Sequence, residues 1–311
     1  MRDVYTTVLE METTPQALAA TVDYLAGRIK PFLQTLEPVL ICYPDEGPAS
    51  LGGIFKEAVL QCSATPVFWG PDYRWKELLR IAFDTHANTV IGHPRVVLGL
   101  MKLARATGTP LSVYDVIACG DPFPRWMIED MKNGLDCRVW GCYAVSSGPA
   151  VAGFSCEQEA GIHIREDVFV PQLCCDGDDM PGINRGKLQL AYAKKPGLIF
   201  DPNVVAVLHY QPCSCGCDEP RVAYAQPIGE EELFAEQFES IFLPWASILD
   251  YCTEQTESGI ALELVVFPGE SLPKLPSVAR LNLRPWNPEV DIPFCMHRFA
   301  MKIPEKIHEI D

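Results

Sequence analysis

Leu18, Val22, Leu25, Ile29 and Phe32 recur at spacings of three and four behind Thr13-Thr14-Pro15. That period places side chains on one helical face, and a hydroxyl before a proline suits a helix start, so an amphipathic helix is predicted over 14–34. The chain then alternates short apolar runs with longer amphipathic ones. It reads as strand 39–42, helix 52–62, strand 66–69, helix 73–85, strand 88–91, helix 94–106, strand 114–119, helix 124–133 and strand 138–143. Strands separated by helices of about 10–15 residues require right-handed crossovers and a mostly parallel sheet with flanking helices. The first half is therefore α/β.

Beyond Ser146 the pattern changes to short strands, glycine turns and Asp-rich loops such as Cys175-Asp-Gly-Asp-Asp179. That texture suits an antiparallel, barrel-like subdomain. Gly229-Glu-Glu-Glu232 precedes a second helical pattern, Leu233, Phe234, Phe238, Ile241 and Phe242, and strands are expected at 247–252, 259–267 and 277–283. The expected organisation is a large domain over 1–229, with its α/β part at 1–146 and its β part at 147–229, followed by a small α+β unit at 230–311.

With 311 residues, 48% of them hydrophobic and 21% charged, the chain has enough apolar surface for a large core. Its 25 Lys and Arg against 41 Asp and Glu give a net charge of -16. A phosphate backbone would be repelled by that field, so nucleic acid is excluded as a partner. No apolar run approaches the ~20 residues of a membrane span, and the N-terminus lacks the apolar stretch of a secretory signal, so a cytoplasmic protein is expected. Most of the thirteen cysteines sit singly in apolar runs and read as buried thiols rather than disulfides.

Two clusters stand apart. Cys156-Glu-Gln-Glu-Ala-Gly-Ile-His163 is followed some way on by Cys213-Ser-Cys215-Gly-Cys217. Paired thiolates in a tight knuckle, joined by a distant Cys and His, make the set that tetrahedral zinc prefers. The alternative is four ordinary thiols and a core histidine. A zinc ion held by Cys156, His163, Cys213 and Cys215 would have no open coordination position and would be structural. Cys217 could replace one ligand, with Asp218, Cys174 and Cys175 as further candidates.

Several segments taken together resemble the phenylacetate-CoA ligase branch of the adenylate-forming, acyl-CoA synthetase superfamily. Asp115-Val-Ile-Ala-Cys-Gly-Asp-Pro122 is similar to the family's strand ending in a Gly-Ala-Glu-Pro turn, and Cys137-Arg-Val-Trp-Gly-Cys-Tyr-Ala-Val-Ser-Ser147 to its strand ending in Tyr-Gly-Leu-Thr-Glu. Gly92-His-Pro-Arg stands at the family's strand-then-proline helix start. Gly161-Ile-His-Ile-Arg-Glu-Asp167 resembles its Gly-Leu-His and Trp-Glu-Asp stretch, and Pro212-Cys-Ser-Cys-Gly216 its Cys-Pro-Cys-Gly knuckle. Order and spacing agree over roughly residues 10–245.

Such enzymes activate a carboxylate with ATP and pass the acyl group to coenzyme A, which requires a phosphate loop, magnesium, a ribose site and a C-terminal lysine. The resemblance implies an ATP or AMP site, or an acyl pocket, at Gly120, Asp121, Pro122, Tyr143 and Ser146. It also implies departures. Ser147 stands at the magnesium-holding glutamate, and a neutral hydroxyl is a poor magnesium ligand. Asn203 and Val204 stand at the ribose-binding Gly-Asp, with Asp201 nearby. The strand over 4–11 is the one that the phosphate loop should precede, so that loop is expected to be missing, and Lys306 lacks the catalytic lysine's context. The implied protein is truncated, a zinc-binding pseudoenzyme with no assignable catalytic residue and no ligation of its own. Two alternatives stand beside it: a scaffold for a synthetase or acyl carrier, and a ligase whose phosphate loop comes from a partner. A small carboxylic acid or nucleotide is the expected ligand, and a protein partner and a homodimer are left open.

Overall fold

The computed structural model describes residues 11–70, 72–120, 125–145, 150–158, 161–174, 185–202, 204–227, 242–268, 271–272, 274 and 278–294. Asp121, Pro122, Ser146, Ser147, Cys175 to Asp179, Asn203, Lys306 and most of the helical pattern before Phe242 lie outside them.

Helix α1 (Pro15–Ile29) begins as its sequence dictates: the Thr14 hydroxyl accepts from the Ala17 amide and proline takes the first turn. It stops short of residue 34. Pro31 has no N–H to donate, so the α-helical ladder breaks there and the chain tightens into a 3₁₀ turn over Lys30–Phe32. Strand β1 (Pro38–Ile41), helix α2 (Leu51–Gln61), β2 (Thr65–Phe68), helix α3 (Trp75–Asp84), β3 (Thr89–Gly92), helix α4 (Pro94–Thr107), β4 (Asp115–Gly120), helix α5 (Arg125–Leu135) and β5 (Arg138–Ala144) follow. The expected alternation is therefore present, with ends displaced by no more than two residues.

The parallel strands lie in the order β2-β1-β3-β4-β5. Alternate residues face opposite layers. Val39, Ile41, Ile91, Ile117 and Cys119 pack with α1 and α2, whereas Leu40, Cys42, Val90, Val116 and Ala118 pack with α3, α4 and α5. The winding direction reverses between β1 and β3, which makes their carboxyl ends the topological switch point.

The antiparallel strands continue this sheet rather than forming a separate barrel. β6 (Val151–Ser155) pairs with β5, β7 (Ile162–Ile164) with β6, and β12 (Arg221–Pro227) with β7. β11 (Val204–His209), β9 (Arg185–Tyr192) and β10 (Ile199–Phe200) complete the path, and β8 (Phe169–Cys174) pairs with β9, giving twelve strands. Only a short connection separates β5 from β6, so the first antiparallel strand adds directly to the parallel edge. A third core, including Tyr143, Ile164, Phe169, Tyr192 and Leu208, fills this half.

β13 (Ile248–Thr256) and β14 (Gly259–Val266) form an antiparallel hairpin, and β15 (Arg280–Pro285) joins β14 in parallel. Tyr251, Leu262 and Leu264 from this small sheet share one apolar core with α3, α4 and α5. No described helix is long and apolar enough to cross a membrane.

Candidate metal centre and carboxyl-edge crevice

β6 and β7 approach closely because Gly153 has no side chain; a Cβ there would overlap the His163 carbonyl oxygen. His163 is opposite Phe154 on one side and Arg221 on the other, and it is fully buried. Cys156 lies one residue beyond β6. The knuckle folds over this ladder: the Cys213 amide donates to the Cys217 carbonyl at 3.0 Å and the Gly216 amide to the Cys213 carbonyl at 2.9 Å. Gly216 takes φ +86°, a left-handed turn that glycine adopts without strain.

The ligand atoms of Cys156, His163, Cys213 and Cys215 all lie within 4.8 Å of one another. Cys156 Sγ and Cys213 Sγ are 3.7 Å apart, and Cys215 Sγ and His163 Nε2 are 3.5 Å apart. Bonds of about 2.3 Å to sulfur and about 2.0–2.1 Å to nitrogen, meeting at the tetrahedral angle, set S···S edges of about 3.8 Å and S···N edges of about 3.5 Å. The donor set and its spacing thus fit one zinc ion. Burial pushes the Cys156 thiol up to about 11, while the Cys215 amide lowers that of Cys213. Burial, reinforced by the Arg28 charge, lowers the pKa of His163 and favours the neutral imidazole that ligates metals. Its Nδ1 makes no well-formed hydrogen bond, although the Glu219 carbonyl acts on the ring in the opposing direction.

Cys217 is outside this four-residue group. It falls with His163 and Glu219 in a second, three-residue group, and its thiol donates to Glu219 Oε2 at 3.3 Å. Glu219 in turn pairs with Arg28 at 2.7 Å, tying the knuckle to α1. The Arg28 and buried Arg165 guanidiniums lie 5.1 and 4.5 Å from the centre of the Tyr24 ring, and Arg165 is held by Asp167 and by the Thr21 hydroxyl at 3.1 Å. Arg28 and Glu219 carry no sequence signal, because 191 residues separate them. Cys174 is exposed on β8 and belongs to neither group. All eleven described cysteines are free thiols, but of them only Cys42, Cys62, Cys119, Cys142 and Cys213 are buried, so burial is less general than the sequence suggests.

At the carboxyl edge, Gly120 and Tyr143 are register partners at the ends of β4 and β5. Tyr143 is 1% exposed, its ring inside the third core, and the His93 ring stands 3.2 Å from the position of a Cβ on Gly120. His93 also accepts from the Arg95 amide and so caps α4, a role more specific than that of a strand-end residue. Tyr43, buried at the end of β1, donates its hydroxyl to the Cys119 carbonyl. An open cavity of about 580 Å³ lies at the opposite, amino edge, lined in part by Phe32, Glu37, Tyr114, Asp115 and Arg138. Asp201, near the expected ribose acceptor, pairs with Lys187 at 2.7 Å.

No protein-family model and no curated protein matches this sequence. Solved structures do match in fold. A 2-hydroxyisobutyryl-CoA ligase in its postadenylation state superposes with a TM-score of 0.59 at 12% identity, covering 89% of this chain and 67% of that one. The same ligase in an open conformation, with 2-HIB-AMP and CoA, gives 0.54 at 13% identity over 66% and 51%. A benzoate CoA ligase from Burkholderia xenovorans LB400 gives 0.56 at 10% identity over 91% and 65%. This chain spans about half to two thirds of the length of those structures and shares their fold.

Proposed function

We propose that this chain is a relative of the phenylacetate-CoA ligase branch, in which Cys156, His163, Cys213 and Cys215 hold one structural zinc ion. We infer further that it does not carry out ATP-dependent CoA ligation by itself. The observation that carries the zinc assignment is the pair of spacings, 3.7 Å between thiols and 3.5 Å between thiol and imidazole. Four protein ligands leave no position for an activated water, so the ion staples the end of β6 and the β7–β12 ladder to the knuckle.

The absence of turnover follows from charge. Ser147 occupies the position where the resemblance expects a carboxylate for magnesium, and Val204 the one where it expects the ribose-binding aspartate. Losing one such preorganised electrostatic contact costs about 3 kcal/mol, on the order of a hundredfold in rate, and two such losses compound. The closed packing of His93 against Gly120 and the burial of Tyr143 support the same reading. Gly120, Asp121, Pro122, Tyr143 and Ser146 are the residues proposed to meet a small carboxylic acid or AMP-like ligand at that edge.

Two measurements on the purified chain test the proposal separately. Elemental analysis is expected to find one zinc per chain, and a metal-free preparation with native stability would overturn the zinc assignment. Pyrophosphate release with aryl and short-chain acids, ATP, magnesium and CoA is expected at background level. Sustained turnover would overturn the second inference and leave the first standing.

A further inference from the structure

Two cations project from the same face of α4, seven residues apart, toward the small C-terminal sheet. Lys102 is 6% exposed, and its Nζ donates to the Ile248 carbonyl at the start of β13 at 2.6 Å, across 146 residues of sequence. Arg95, two turns earlier, lies 4.4 Å from the centre of the Tyr251 ring. Between them on β13, the buried Asp250 carboxylate accepts from the Tyr251 amide at 2.9 Å and from the Phe294 amide at 2.7 Å. The charged groups that act on Lys102 are Asp250 from β13 and Asp130 from α5, while Arg95 acts on Asp250.

A lysine this deep in an interface, with a single neutral acceptor among the described residues, is poorly placed to stay charged. We propose that Lys102 is a proton-sensitive latch that fastens the β13–β15 sheet to the α/β body, docking the sheet when its amine is neutral and loosening it when the amine takes a proton. No residue of the zinc centre or of the ligase-like edge takes part in it, so the latch stands or falls apart from them.

Burial lowers the Lys102 pKa from 10.5 to about 7. Between those values the undocked form, with Lys102 in water, binds more protons than the docked form. Docking is therefore strongest at the alkaline end and weakens as pH falls to about 7. Burial raises the Asp250 pKa, so the docked form binds the extra proton above the usual carboxylate range and docking recovers as pH falls through that lower window. The sheet is thus held least firmly near neutral to weakly acid pH.

Hydrogen exchange on the intact chain tests this, with protection factors corrected for the intrinsic pH dependence of amide exchange. Protection of the β13 and β14 amides is expected to drop about fiftyfold between roughly pH 9 and pH 7, while β3 and β4 keep theirs. Lys102→Met should flatten the slope, and Lys102→Arg, charged throughout, should hold protection low at both pH values. If the methionine variant fails to fold, the wild-type comparison between the two sheets still decides. Equal loss of protection in both sheets, no loss at all, or an unchanged slope in Lys102→Met would overturn the latch.

Discussion

Gly153 shapes the candidate metal centre from outside the proposed ligand set. Its missing side chain is what lets β7 lie against β6, and β7 carries His163. In Gly153→Ala the added methyl meets backbone, the His163 carbonyl, and cannot be relieved by a rotamer change. The strands must part, which costs about 1–3 kcal/mol in overpacking and withdraws the imidazole from the thiols. Purified Gly153→Ala is expected to contain well under one zinc per chain and to melt several degrees lower than wild type; a full zinc complement at an unchanged melting temperature would refute this role. The proposed ligands are legible as residue types and spacings, because two thiols closed around one residue and followed by glycine are a pattern that suits a metal. Gly153 is not, since its constraint comes from a neighbouring strand rather than from its own segment.

Helix α4 shows the same division between what a segment dictates and what its neighbours dictate. Its start is written locally in Pro94 and its end in Gly108, which takes φ +67° at the cap. Its middle is set by α3, for Gly99 faces the Trp75 ring with no room for a Cβ. Helix propensity alone would make Gly99→Ala stabilising by about 1 kcal/mol. The buried indole reverses the sign, because Trp75 is 1% exposed and has nowhere to go. Gly99→Ala is expected to destabilise by about 1–3 kcal/mol, read as a lower urea midpoint at unchanged slope, and a raised midpoint would show that α3 yields. The alternation of strands and helices is readable because each element pairs with its neighbours in sequence. The antiparallel half is readable as strands but not as a continuation of the parallel sheet. The β7–β12 pairing joins residues such as His163 and Arg221, which no local pattern connects.

For the molecule as a whole, the distribution of stability follows from where its cores lie. The parallel half has apolar layers on both faces, whereas the antiparallel half holds a smaller core and the Cys/His knuckle. Arg28 and Glu219 connect the two through α1. A zinc ion bound only by the folded form adds stability by mass action, about 2.7 kcal/mol at a hundredfold excess over its Kd. That stabilisation belongs mainly to the β6, β7 and β12 ladder, which the ligands clasp, so its loss should be local before it is global. Chelation is therefore expected to lower the thermal midpoint and to raise exchange in β6, β7 and β12 ahead of β1, β3 and β4, with readdition of zinc restoring both. The formal charge of -16 adds a salt dependence: screening reduces self-repulsion in the compact state, so the chelated protein should recover part of its midpoint in moderate salt without regaining protection at the ladder. Uniform loosening of all twelve strands on chelation would instead mean that the knuckle supports the whole sheet rather than one edge of it.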